Sequence, residues 1–160
     1  MHARRSRAKR VGVISDTHGL VRPEALDALG GSDCIVHAGD VGSPEVLDAL
    51  ARVAPVHAIR GNNDTERWAR ALPHERAIEI AGARIYVIHA REELAFDPLA
   101  RGYHAVIAGH SHRPSIERRA GVLHVNPGSA GPRRFRLPVA VAMLEVRDGV
   151  VEATLVTLAV

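Results

Sequence analysis

Apolar residues in this chain come in short runs, each closed by a polar cluster. Val11–Ser15, Cys34–Ala38 and Val56–Ile59 are rich in valine and isoleucine and read as buried strands. Between them the period changes. Pro23–Leu29 reads as a helix with proline in its first turn. Ser43-Pro44 caps a second helix through Val53, with Val46, Leu47 and Leu50 on one face. Strands and helices in this alternation predict a parallel sheet with crossover helices.

The rest of the chain has a different rhythm. Arg76–Ile80 and Arg84–Ile88 flank Ala81-Gly82-Ala83 as a hairpin, a helix is predicted around Glu92–Ala100, and Ala105–Ala108 reads as a strand. Ile116–Arg118 pairs with Val122–Val125 across Ala120-Gly121, and Val139–Val146 with Val150–Leu158 across Arg147-Asp148-Gly149. The expected class is α/β, with two mixed sheets packed face to face and helices outside them. No repeat, low-complexity stretch or compositional break marks a linker, so residues 10–160 read as a single domain, large enough for a self-sufficient core.

The polar clusters carry the chemistry. They are Asp16-Thr17-His18, Gly39-Asp40, Gly61-Asn62-Asn63-Asp64, His89, Gly109-His110-Ser111-His112 and Asn126-Pro127-Gly128-Ser129. Ligands of layered α/β folds gather beyond the carboxyl ends of the strands, and the first five clusters fall there. They supply the carboxylates of Asp16 and Asp40, the amide oxygen of Asn62, and the imidazoles of His18, His89, His110 and His112. That is the donor set of a two-metal hydrolytic centre.

Asp16 and His18 are two residues apart, as are His110 and His112, so in an extended segment each pair points one way. Asp40 has two oxygens and can touch two ions roughly 3.5–4 Å apart. Oxygen and nitrogen donors without sulfur favour Mn, Fe, Ni or Zn over Ca or Mg. Two divalent ions outweigh two carboxylates and a hydroxide, which leaves a cationic pocket suited to an anionic ester. A water shared by the ions ionises near neutral pH, so the expected step is in-line attack of a metal-bridging hydroxide on phosphorus.

Composition narrows the picture. Hydrophobic residues make up 46% of the 160 but aromatics only 3%, so the core must rest on Val, Ala, Leu and Ile. The single cysteine, Cys34, excludes an internal disulfide and a thiolate cage, and reads as a small buried hydrophobe. Arg4, Arg5, Arg7, Lys9 and Arg10 crowd the N-terminus; removing those five from the formal +3 leaves the remainder at −2. Residues 1–9 therefore read as a basic, flexible tail, with a weak electrostatic arm for nucleic acid or acidic lipid as the alternative. The tail has no interleaved aromatics, which argues against nucleic-acid binding. The apolar run after it is too short for an export signal and no run spans a bilayer, so a cytoplasmic protein without membrane contact is expected.

Five strings, Ile14-Ser15-Asp16-Thr17-His18-Gly19, His37-Ala38-Gly39-Asp40, Arg60-Gly61-Asn62-Asn63-Asp64, Gly109-His110-Ser111-His112-Arg113-Pro114 and Asn126-Pro127-Gly128-Ser129, resemble the calcineurin-like metallophosphoesterase superfamily in order and spacing. The closest likeness is to its small single-domain bacterial and archaeal phosphodiesterase branch, from about Val11 to the C-terminus. The resemblance implies a four-layer α/β/β/α sandwich with a dinuclear centre, manganese favoured. It implies Asp16, His18 and His112 on the first metal, Asp40 bridging, and Asn62, His89 and His110 on the second. The Asn126–Ser129 turn would shape the pocket, making Asn126 and Ser129 candidates to bind substrate, with a purely structural turn fixed by Pro127 and Gly128 as the equal alternative.

Two positions depart from the pattern. Asn63 stands where the superfamily places a histidine that assists the leaving group, and an amide there can hydrogen-bond a phosphoryl oxygen but not donate a proton usefully. Asp64 reads better as a loop cap than as a substitute acid. After His89 the branch reads His-Gly-His, whereas this chain has His89-Ala90-Arg91; Arg91 can contact a phosphate oxygen, but surface pairing with Glu75, Glu92 or Glu93 is the expectation. Arg133 and Arg134 are candidate phosphate clamps or merely a basic loop. His37 and His124 suit support or core roles.

The expected function is a metal-dependent phosphoesterase, and among these a phosphodiesterase acting on a small phosphate ester, with a homodimer possible. The alternative is a non-catalytic interaction scaffold of the same fold, like the superfamily's retromer-associated relatives. Such scaffolds tend to lose ligand residues, and all seven are present here.

Overall fold

A computed structural model describes residues 7–160, so most of the expected basic tail lies outside the described residues. The strands are β1 (Lys9–Ile14), β2 (Cys34–His37), β3 (Val56–Ala58), β4 (Glu75–Ile80), β5 (Ala83–Ile88), β6 (Ala105–Ile107), β7 (Ser115–Arg119), β8 (Val122–Asn126), β9 (Ala140–Arg147) and β10 (Val150–Thr157). The α-helices are α1 (Pro23–Ala28) and α2 (Pro44–Ala51). Lys9 already pairs with Val146, so the strand starts inside the segment expected to be tail.

One sheet has the order β10-β9-β1-β2-β3, the other β4-β5-β6-β8-β7. Each holds a parallel trio, β1-β2-β3 and β5-β6-β8, flanked by antiparallel neighbours. This is the α/β fold of two mixed sheets that the hydrophobic pattern predicts.

Alternation along the strands sorts the core into layers. Val11, Val13, Val36, Ile85, Val87, Ile107, Val125 and Leu144 meet between the sheets. Ile14, Ile35 and Val141 instead join Leu29 of the α1 end and Val46 and Leu50 of α2. Gly12 lets α1 lie close, since a Cβ there would sit 2.7 Å from Leu29 Cδ2. Each aliphatic side chain buried in this way contributes about 1.5–3 kcal/mol. Cys34 lies in the inter-sheet cluster.

The helix expected at Glu92–Ala100 does not form. A 3-10 turn at Arg91–Glu93 is followed by irregular chain, which covers the second sheet where a helical layer was expected. Pro98 disfavours helical backbone at Asp97. The Asp97 side chain accepts the Leu99 N–H (3.1 Å) in a local turn. Phe96 packs edge-on to Tyr86, 4.9 Å between ring centres.

Candidate metal centre

The parallel trios aim their carboxyl ends at one rim, and the loops leaving them are unusually shaped. Asp16, His18, Asp40, His110 and His112 all have positive φ, between 46° and 71°. The extended Asp16-x-His18 and His110-x-His112 geometry expected from spacing is therefore not what brings these side chains together. Left-handed backbone costs a non-glycine residue about 1–2 kcal/mol, so five cases in one place are held by their surroundings.

Backbone contacts supply that hold. Asp16 N–H donates to the Gly39 carbonyl (3.0 Å), His18 N–H to the Asp40 carbonyl (3.0 Å) and Gly19 N–H to the Val41 carbonyl (2.8 Å), zipping the first loop to the second. The His110 N–H and the Ser15 hydroxyl both donate to Asp16 Oδ2, at 3.0 and 2.6 Å. This approach requires Gly109, where a Cβ would lie 2.0 Å from Ser15 Oγ and 2.6 Å from Asp16 Oδ2.

The free oxygen of Asp16 meets imidazoles on three sides. Oδ1 lies 3.9 Å from His18 Nε2, 3.8 Å from His89 Nε2 and 3.3 Å from His112 Nε2. Asp40 Oδ2 lies 3.8 Å from His18 Nε2 and 3.3 Å from His89 Nε2. Two triads with metal-ligand spacing result, Asp16-His18-His112 and Asp16-Asp40-His89. Asp16 belongs to both, while Asp40 Oδ2 sits between His18 and His89. His110 stands beside His89, 5.2 Å between ring centres, outside both triads. Asn62 and His110 line a 430 Å³ cavity with His89.

The donors fit cations. Asp16 Oδ1, His18 Nε2 and His89 Nε2 are buried without a hydrogen-bond partner. His89 Nδ1–H donates to the Ala38 carbonyl (2.7 Å), which turns the Nε2 lone pair toward the carboxylates. Lone pairs converging in this way repel one another unless a proton or a metal ion lies among them. Burial opposes ionisation of Asp16 and Asp40, yet hydrogen bonds and nearby imidazolium charge overcome it and hold both carboxyls below the usual range. Burial lowers His18; for His89 burial acts the same way but is outweighed by the Asp40 contact, the Ala38 carbonyl and the Asp16 charge together, which raise it.

Several candidates also make hydrogen bonds within the chain. Asn63 donates to Asp40 twice, from its backbone to Oδ1 (2.9 Å) and from its amide to Oδ2 (3.0 Å). Asp64 caps its loop as expected, accepting N–H bonds from Val41, Gly42 and Gly61 at 2.9–3.0 Å. The Asn126 amide donates to the Gly109 carbonyl (3.0 Å) and Ser111 Oγ (3.1 Å), and Ser129 Oγ donates to the Asp16 carbonyl (2.9 Å). Arg133 donates to the Val160 carbonyl (3.0 Å), and Arg91 pairs with Glu117 (3.5 Å), not with the three glutamates expected. His37 accepts the Gly39 N–H at Nδ1 and donates Nε2–H to Thr17, whose hydroxyl donates to the Val41 carbonyl. Sequence reading gave no weight to Phe135, which stands 92% exposed near the rim; its setting between arginines was the available signal.

Fold and donor set together define an α/β sandwich built to hold metal ions at one edge. A family model of the calcineurin-like phosphoesterase superfamily domain matches residues 10–149. A protein of Methanothermobacter thermautotrophicus named "probable metallophosphoesterase" is 36% identical over 140 residues, 80% of this chain and 81% of its own length. Among solved structures, one described as a novel archaeal phosphodiesterase superposes with a TM-score of 0.76 at 23% identity, covering 92% of this chain and 99% of its own. Vps29 of Entamoeba histolytica complexed with zinc superposes with a TM-score of 0.69 at 25% identity, covering 92% and 98%. The chain belongs to the calcineurin-like phosphoesterase superfamily, and hydrolysis of phosphate esters is the activity this membership supports. Among the described residues no helix is long and apolar enough to cross a membrane.

Proposed function

We propose that this protein is a dinuclear metal-dependent phosphodiesterase acting on small phosphate esters. The observation that carries the reading is the convergence of Asp16 Oδ1 and Asp40 Oδ2 on the Nε2 atoms of His18, His89 and His112 within 3.3–3.9 Å. Asp16, His18 and His112 would hold one ion, Asn62, His89 and His110 the other, and Asp40 would serve both, with Asp16 also within reach of both triads. When bound, two divalent ions supply Lewis-acid stabilisation of a phosphoryl group and a water that ionises near neutral pH.

The chain's own residues prepare the site. Asn63 orients Asp40, Ser15 and the His110 N–H orient Asp16, and the Ala38 carbonyl sets the His89 tautomer. Asn126 pins the loop carrying His110 and His112, so the imidazoles are placed before any ligand arrives. No side-chain acid stands at Asn63, which suits esters with good leaving groups and diesters over alkyl monoesters.

The test is hydrolysis of bis(p-nitrophenyl) phosphate by chelator-stripped protein, with Mn, Ni, Fe, Zn or Mg restored separately. Activity should vanish on stripping, return with Mn above Mg, and fall at least about a hundredfold in Asp40→Ala. Turnover indifferent to both treatments defeats the reading. A protein that binds the metals yet turns over no ester is instead the non-catalytic scaffold.

A further inference from the structure

The five Phe, Tyr and Trp residues of this chain are treated unequally. Tyr86, Phe96 and Tyr103 pack on one another, and Trp68 lies against the helical layer. Phe135 alone is uncovered, 92% exposed, and it sits at φ 55°. A bulky residue gains nothing locally from either condition: left-handed backbone strains it, and exposure forgoes the burial that favours a phenyl ring.

Its position gives a reason. Leu137 N–H donates to the Arg134 carbonyl (3.2 Å), closing a tight turn with Phe135 and Arg136 at its tip. The loop that carries this turn is anchored on the metal rim. Ser129 bridges Val139 at its base, and Ala130 N–H donates to the Ser15 carbonyl (3.1 Å). Gly131 lies so close to the first ligand loop that a Cβ would come within 2.4 Å of the Asp16 carbonyl oxygen. At most about 14 Å of extended chain separates Gly131 from Phe135. Arg134, Phe135 and Arg136 are all exposed, so a phenyl ring flanked in sequence by two cations is open to solvent on the loop anchored at the metal rim.

We propose that Phe135 is a stacking platform for the base of a nucleotide-bearing phosphodiester, with Arg134 and Arg136 drawing the anion toward the rim. The proposal names the substrate class of the phosphodiesterase reading and rests on it for turnover, though not for binding. Stacking suits the position because every base has an apolar π-face, and an arginine on each side adds attraction for phosphate.

Thymidine 5′-(p-nitrophenyl) phosphate and methyl p-nitrophenyl phosphate share a leaving group and differ in the base. In Phe135→Ala the preference for the thymidine ester, as a ratio of kcat/KM values, should fall about fivefold or more through KM, and Phe135→Trp should restore it. An equal loss on both esters, or none, overturns the proposal. A binding arm separates its failure from that of the enzymatic reading. Phe135→Trp fluorescence, against the wild-type Trp68 background, should be quenched saturably by AMP and not by ribose 5-phosphate. If neither ester is hydrolysed the phosphodiesterase reading fails, and the quenching alone decides: saturable quenching supports the platform, and its absence overturns it.

Discussion

Asp64 offers a sharp test of how the centre is held. Its side chain is buried and accepts three backbone N–H bonds: Oδ2 from Val41 (3.0 Å) and Gly61 (2.9 Å), Oδ1 from Gly42 (3.0 Å). It thereby ties the loop carrying Asp40 to the loop carrying Asn62 and Asn63. Asp64→Ala leaves all three donors without a partner. Gly42 is exposed and can turn to water, whereas Val41 and Gly61 are buried. An orphaned buried donor costs about 1–3 kcal/mol, so two of them give about 4 kcal/mol. For a chain of this length the corresponding fall in Tm is about 8–16 °C. Asp64→Asn keeps one oxygen able to serve both buried donors and surrenders only the Gly42 contact, at about 1 kcal/mol. Urea unfolding of metal-free wild type and both variants measures the two costs. An Asn variant as damaged as the Ala variant, or an Ala variant within 1 kcal/mol of wild type, would refute the argument.

Other consequences follow from the same geometry. His37 is fully buried, and burial drives its imidazole down from 6.5 to about 4. A depressed histidine is neutral in the fold, so its stabilisation is complete above pH 6.5 and is lost as pH falls toward about 4, by about 1.4 kcal/mol per unit. The stability gap between wild type and His37→Gln should narrow over that window; a constant gap contradicts it. Asn63→Ala removes one of the two donors that orient Asp40 and should weaken Mn binding about 10–100-fold by calorimetry, with an unchanged Kd counting against the role. Gly109→Ala drives a methyl into Ser15 and Asp16 and should lower the urea midpoint as well as metal affinity. A variant that folds and binds like wild type would show that the loop yields more than its packing suggests.

Periodicity was enough to read most of the scaffold, because strands and helices that bury one face must repeat their apolar residues at fixed intervals. It failed at Glu92–Ala100, where charged and apolar positions mimic a helix but the Asp97-Pro98 pair and the aromatic cluster of Tyr86, Phe96 and Tyr103 decide otherwise. The donor set was legible from residue chemistry: carboxylates and imidazoles at successive strand ends have few other uses together. Their geometry was not. Spacing suggested extended pairs, whereas backbone contacts between loops force Asp16, His18, Asp40, His110 and His112 into left-handed conformations. Sequence alone does not show that Asn63, Asn126, Ser129 and Arg133 each also hydrogen-bond within the chain, contacts that only the fold brings about.

The sequence by itself determined the candidate donors, the β-α-β order that delivers them and the family the chain belongs to, since each depends on residue type and local period. Tertiary structure alone decided which oxygen of Asp16 is left free, which nitrogen of His89 faces it, and that Phe135 stands uncovered at the rim. Those outcomes depend on contacts between segments tens of residues apart, and no local pattern encodes the directions in which such contacts turn a side chain.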